Sequence, residues 1–162
     1  MTTFLKNRDM KFSFHLLLAC IALTACGESG KTTADYRIVP CPGEIAPGDG
    51  GDFELDARTR IICTGDNDGM RANAEFLAGY VESVIGSAPE ITGPDGLCDD
   101  GRAVILRADA PGKGGEAYEI EVSENRITVS GESDAGVFYG IQTLRKAMGA
   151  AKAAKVLFPA VR

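Results

Sequence analysis

The sequence predicts an α+β domain: a small, antiparallel-rich β-sheet with two α-helices packed on one face. Three observations lead there. Met70, Ala74, Leu77, Val81 and Val84 fall at helical spacing, and so do Val137, Ile141, Leu144 and Met148, giving two apolar helix stripes. Two segments near Tyr118 and Ile127 alternate apolar and polar residues around a tight turn, which is a hairpin with one wet face. A length of 162 residues, with 44% hydrophobic and 25% charged residues, fits one ordinary domain.

The chain begins as an export signal. Lys6, Arg8 and Lys11 precede an apolar run from Phe12 to Leu23. A bilayer-spanning helix needs roughly 20 apolar residues, so this run is too short to be one. Basic residues, a short apolar core and then small residues make a secretory signal. The run closes on Leu23-Thr24-Ala25-Cys26-Gly27, which resembles the bacterial lipoprotein signal, in which the cysteine is acylated and becomes the first mature residue. That resemblance implies residues 1–25 as signal, Cys26 as the lipidation site, and a lipid-anchored product facing the periplasm or outer membrane. Residues 26–36, small and polar, read as a tether lifting the domain off the membrane.

The domain proper is expected over residues 37–162. Arg37 to Pro42 is an extended opening whose two prolines keep it out of a central strand. Ala46 to Gly51 is a turn cluster, and Phe53–Leu55 and Thr59–Cys63 are short strands. The first helix runs from Asp66 to Ile85, capped by Asp66 or Asp68 and ended by Gly86 and Pro89. Arg102 to Arg107 is mostly apolar and therefore a central strand. The hairpin pairs Tyr118, Ile120 and Val122 with Ile127 and Val129 about Glu124-Asn125. Ser133 or Asp134 caps the second helix. Gly136 and Gly140, one turn apart within it, lower helix propensity and imply close packing of that helix on a sheet or helix. Val156 to Val161 is extended again.

The chemistry-bearing residues are sparse. Lys6, Arg8 and Lys11 against Asp9 carry part of the positive charge into the signal, so the remainder of a chain of net charge −6 is near −8. Acidity without a basic stripe argues against nucleic acid as a partner. The one histidine, His15, lies in the signal, which removes histidine triads and most zinc sites from the mature protein. No metal and no cofactor is expected. Of five cysteines, Cys20 and Cys26 belong to the signal, which leaves Cys41, Cys63 and Cys98. An odd number allows at most one internal disulfide. Cys63 with Cys98 is the preferred pair, and the alternative is Cys63 as a small buried apolar residue at a strand end.

Two motifs are turns or caps, and a third is a solvated pair of carboxylates. Asp66-Asn67-Asp68-Gly69 opens like a calcium loop, but Leu77 stands where the bidentate glutamate belongs. Gly112-Lys113-Gly114-Gly115 lacks the ending of a phosphate loop and precedes a strand. Glu119 and Glu121 share one solvated strand face, whereas a glycosidase pair must flank its substrate. No catalytic residue is assigned.

One longer pattern points to a family. Ala117 to Val122, Ile127 to Val129 and the run Asp134-Ala135-Gly136-Val137-Phe138-Tyr139-Gly140-Ile141-Gln142-Thr143-Leu144 together resemble the N-terminal accessory domain of glycoside hydrolase family 20, the β-N-acetylhexosaminidases. Ile38 to Pro42 and Phe158 to Val161 fit the family's opening and its link to the next domain. The resemblance implies an antiparallel sheet with two helices, placed before a (β/α)₈ barrel. That barrel cleaves terminal β-linked N-acetylglucosamine or N-acetylgalactosamine, using the substrate's acetamido group held by an aspartate beside a glutamate acid/base. This sequence holds no adjacent Asp-Glu pair and no tryptophan for a sugar pocket. The expectation is therefore a chain truncated before the barrel, inactive alone, with the missing barrel as its partner. The domain should then expose an apolar docking patch near Gly140, Val156 and Phe158. Two other readings stand beside it: a stand-alone surface glycan-binding module, and the accessory domain of another glycosidase, such as an α-glucuronidase or α-N-acetylglucosaminidase.

Overall fold

The computed structural model describes residues 30–98, 101–109 and 114–162. The signal segment, Cys26, and the Gly112 and Lys113 part of the glycine-rich turn lie outside the described residues. In chain order the elements are β1 (Lys31–Thr33), β2 (Phe53–Leu55), β3 (Arg60–Cys63), α1 (Asp68–Ile85), β4 (Ile91–Thr92), a 3₁₀ turn (Pro94–Cys98), β5 (Ala103–Arg107), β6 (Tyr118–Ser123), β7 (Arg126–Gly131), α2 (Asp134–Met148) and β8 (Lys155–Phe158).

They form an α+β fold of two sheets. The larger sheet has the order β4-β3-β5-β7-β6 and the smaller β1-β8-β2. Strand β5 is central, as its apolar run implied, with Ala103 to Leu106 all buried. The expectation of an antiparallel-rich sheet is met only in part, because the sheets are mixed. β3 runs parallel to both β4 and β5, β5 parallel to β7, and β1 parallel to β8, while β6/β7 and β2/β8 are antiparallel. Helix α1 crosses over between the parallel strands β3 and β4, the kind of connection that returns the chain in the same direction, and α2 leads from β7 to β8 of the smaller sheet.

Both helices pack on one face. Ile61, Cys63, Val104, Leu106, Val122, Ile127 and Val129 form a single core with Met70, Leu77 and Val81 of α1 and Val137, Ile141 and Leu144 of α2. The opposite face is half dry. Ile62, Ala103 and Ile105 make a second small cluster, beside the 3₁₀ turn, where Gly96 approaches the Ile62 side chain. Farther along that face, Glu121 is exposed and Thr128 half-buried, so the wetness read from the hairpin holds only at the β6/β7 end.

Helix caps follow local chemistry. Neither Asp66 nor Asp68 caps α1; the Asn67 side chain does, accepting from the Met70 N–H at 2.8 Å. Gly86, in the left-handed region at φ 84°, ends it. Ser133 caps α2, accepting from the Gly136 N–H at 3.3 Å. Asp134 then joins the two helix starts. Its carboxylate accepts from the Asn67 amide at 3.3 Å, and its carbonyl accepts from Asn73 at 2.8 Å. Gly136 is needed because an added Cβ would lie 2.5 Å from the Ala117 carbonyl oxygen, and Gly140 because one would collide with Val129 and the Tyr118 ring. That is the close helix-on-sheet packing the two glycines implied.

Residues 31–36, part of the stretch read as a tether, are held on the domain. Lys31, Thr32 and Thr33 pair with Lys155, Val156 and Leu157. Ala34 is buried, and the Tyr36 hydroxyl donates to the Pro159 carbonyl at 3.1 Å. The polar composition that suggested a linker is satisfied instead by an exposed edge strand.

Candidate functional site

Two surface features stand out: an aromatic patch on the helices and a groove along the edge of β6. The patch is Phe76 on α1 with Phe138 and Tyr139 on α2, about two-fifths exposed each. The Phe76 and Phe138 rings lie 5.6 Å apart at 50°, and Phe138 and Tyr139 6.0 Å apart at 65°. Phe76 and Phe138 each sit one residue away from a buried stripe position, Leu77 and Val137. Helical spacing therefore turns them outward, and an aromatic just off the apolar stripe was the signal available in sequence. The docking patch expected near Val156 and Phe158 is corrected. Both side chains are fully buried, because β8 lies between β1 and β2 and sets Phe158 against Phe53 and Val156 against Leu55. Gly140 is buried too, with its neighbour Tyr139 on the surface.

The groove has a volume of about 640 Å³ and lies between the segment Pro40–Ala46 and the strand edge from Ala117 to Ile120, with Arg162 at one end. Tyr118 closes its floor toward α2, its hydroxyl 2.6 Å from that of Thr143. Glu119 turns to the other face and accepts from the Arg162 guanidinium at 3.3 Å. Glu121, the other carboxylate singled out from sequence, points into solvent on that face. The pair therefore flanks no cavity from two sides.

Charge clusters elsewhere are structural. Arg102 spans Glu54 (3.4 Å) and Asp56 (3.0 Å), while Lys155 holds Glu54 (3.0 Å) and Arg58 holds Asp56 (2.9 Å). This network stitches β2 and β8 of the small sheet to the start of β5. The hydrogen bond from Lys155 draws the Glu54 carboxyl below its ordinary range. Burial alone would raise Asp56, but the bonds from the Arg58 side chain and backbone outweigh it and lower it. Arg37 holds the exposed Asp35 carboxyl at about 2. Burial, helped by the Asp52 carboxylate, pushes the Tyr36 phenol up, so this hydroxyl serves as a hydrogen-bond donor to Pro159.

Cys63 is a buried free thiol, 3.3 Å from the Gly65 carbonyl and 3.6 Å from that of Met70. That is the small apolar residue at a strand end; the side chain of its suggested partner, Cys98, lies outside the described residues. Cys41 is free and exposed in the segment beside the groove. Among the described residues no group of three or more histidine, cysteine, aspartate or glutamate side chains could hold a metal ion. Among them, too, no helix is long and apolar enough to cross a membrane.

Two helices on one face of a mixed sheet, aromatic surface on those helices and an open strand edge define the class: a small α+β module. The family model described as glycosyl hydrolase family 20, domain 2, matches residues 35–162. The chain belongs to that family. It is 27% identical over 128 residues to a β-N-acetylhexosaminidase of Cellulomonas fimi, covering 79% of this chain and 25% of that protein. Its fold matches the family 20 β-N-acetylhexosaminidase of Streptomyces coelicolor A3(2) with a TM-score of 0.64 at 22% identity, over 78% of this chain and 26% of that one. It also matches a family 20 β-N-acetylglucosaminidase with a TM-score of 0.53 at 31% identity, over 78% of this chain and 21% of that one. The chain thus spans about a quarter of the length of these relatives.

Proposed function

We propose that this chain is the non-catalytic leading domain of a β-N-acetylhexosaminidase, acting on terminal β-linked N-acetylglucosamine or N-acetylgalactosamine, and that it supports a catalytic barrel without performing the reaction. The observation that carries the reading is the family match over residues 35–162 combined with the quarter share of the longer relatives. The Glu119 and Glu121 carboxylates of β6 fit it, since they stand on one strand face and not on two sides of a sugar. The aromatic patch of Phe76, Phe138 and Tyr139 supplies the apolar contact surface such a domain needs for its barrel. The same rings, inclined at 50° and 65° to one another, share no common plane along which successive sugars of a glycan could stack.

The decisive experiment compares this chain with the product of its uninterrupted downstream reading frame, using a chromogenic N-acetyl-β-glucosaminide. The expected result is release of chromophore by the longer product and none by this chain. Turnover by this chain overturns the accessory reading. Saturable binding of chitooligosaccharides by this chain would instead favour a glycan-binding module.

Anchoring completes the proposal. Acylation of Cys26 would place the domain at the bacterial envelope, several acyl chains holding where one is marginal. Metabolic labelling with palmitate should mark the protein and leave the Cys26→Ser variant unmarked.

A further inference from the structure

Strand β6 is the outer strand of the large sheet. In an antiparallel hairpin only alternate residues bond to the partner strand. The Val122 N–H points away from β7 and donates to the Val161 carbonyl at 2.8 Å. By the same alternation, Ile120 and Tyr118 turn their N–H and C=O groups outward. They meet no other backbone among the described residues, and they form the wall of the groove.

The first part of this edge is already covered. Ala160 to Arg162 lies between β6 and the segment Ala46–Gly48. Ala46 and Arg162 exchange both backbone hydrogen bonds, at 2.8 and 2.9 Å, and the Gly48 N–H reaches the Ala160 carbonyl at 3.1 Å. Val161 faces Val122, and Arg162 reaches Glu119, so this short strand runs antiparallel to β6. Extended geometry returns a backbone to the same neighbour every second residue. A strand prolonging this direction meets Ile120 two positions beyond Val161 and Tyr118 four positions beyond it. The groove walled by Pro40 to Ile45 is the space it would fill.

We propose that this groove receives an extended polypeptide strand, antiparallel to β6 and in line with Ala160–Arg162, supplied by the rest of the parent hydrolase. The source of the strand rests on the proposed function; the register rests on the backbone. Residues of the strand facing Ile120 and Tyr118 share the face of the core, which also holds part of Tyr36, and take apolar side chains. Those between share the face of Glu119 and Glu121 and take polar or basic ones, as Arg162 does. Main-chain bonds give such an addition its affinity and the alternating side chains its specificity. An unpaired edge is otherwise an aggregation hazard.

The test is amide hydrogen exchange, read by NMR on the full chain carrying an eight-residue tail after Arg162. One tail alternates valine and threonine. The other places proline at the two positions that face Ile120 and Tyr118. The first should slow exchange at Tyr118 and Ile120 by about tenfold or more and leave the Asn125 turn amide unchanged; the second should slow neither. Equal exchange with both tails overturns the proposal, whatever the hydrolysis assay finds. Slowed exchange with the first tail alone upholds the groove, even where the longer product fails to hydrolyse substrate and the functional reading falls.

Discussion

Three glycines inside helices should respond to alanine with opposite signs. Gly79 lies on the exposed side of α1 with nothing within 4 Å of an added Cβ. Alanine there gains helix propensity and removes unfolded-chain freedom, a stabilisation of about 0.5–1 kcal/mol. Gly136 receives the same local gain, but its Cβ would stand 2.5 Å from the Ala117 carbonyl oxygen and 3.3 Å from the Gly131 backbone. Neither neighbour is a side chain that can swing aside. Overpacking of this kind costs about 1–3 kcal/mol, and backbone neighbours put it at the upper end. Subtracting the propensity gain leaves Gly136→Ala less stable by about 2 kcal/mol. Gly140→Ala should fall between, because its obstacles are the Val129 methyl and the Tyr118 ring. Urea unfolding followed by circular dichroism measures all three. A Gly136→Ala variant as stable as Gly79→Ala would refute the claim that α2 is seated on the hairpin by its glycines.

Acid should weaken the fold through its paired carboxylates. Asp35, Glu54 and Asp56 are all held below their ordinary values in the folded chain. Their contribution is present above about pH 4, where the unfolded chain is ionised, and is lost as pH falls through the lower folded values. Urea midpoints should therefore drop between about pH 4 and pH 2, and Arg102→Met should flatten that drop. Truncating Phe158, fully buried against Phe53, should cost about 3–5 kcal/mol by thermal or urea unfolding. Asn67→Ala removes the cap of α1 together with its bond to Asp134, for a loss of about 1 kcal/mol or more by the same measurement. Cys63 should resist a thiol reagent in the native protein while Cys41 reacts at once, and both should react in denaturant.

Periodicity made the helices legible because each presents one stripe to one core, and α1 and α2 lie within two residues of the expected starts. Strand direction was not legible. The alternation of β6 and β7 reads the same in a hairpin alone or at the end of a parallel sheet, and no local signal tells β5 which way its neighbours run. The two-residue strand β4 and the polar β1 escaped for a related reason: each is defined by its partner's backbone and not by its own side chains. The groove is a product of the same blindness. Its wall consists of main-chain groups at Tyr118 and Ile120, which leave no trace in residue type. Cys63 illustrates the converse, since one side-chain identity fitted both a disulfide and a buried thiol.

The pairing of β1 with β8 has a geometric corollary. With Lys31 fixed in register opposite Lys155, only five residue steps separate it from Cys26. At about 3.5 Å per residue, a fully stretched chain there reaches about 17 Å. Were Cys26 acylated as proposed, the module could not float free on a leash. It would ride within about half of its own diameter of the lipid headgroups, and whatever enzyme is joined to it would meet substrate at the membrane surface.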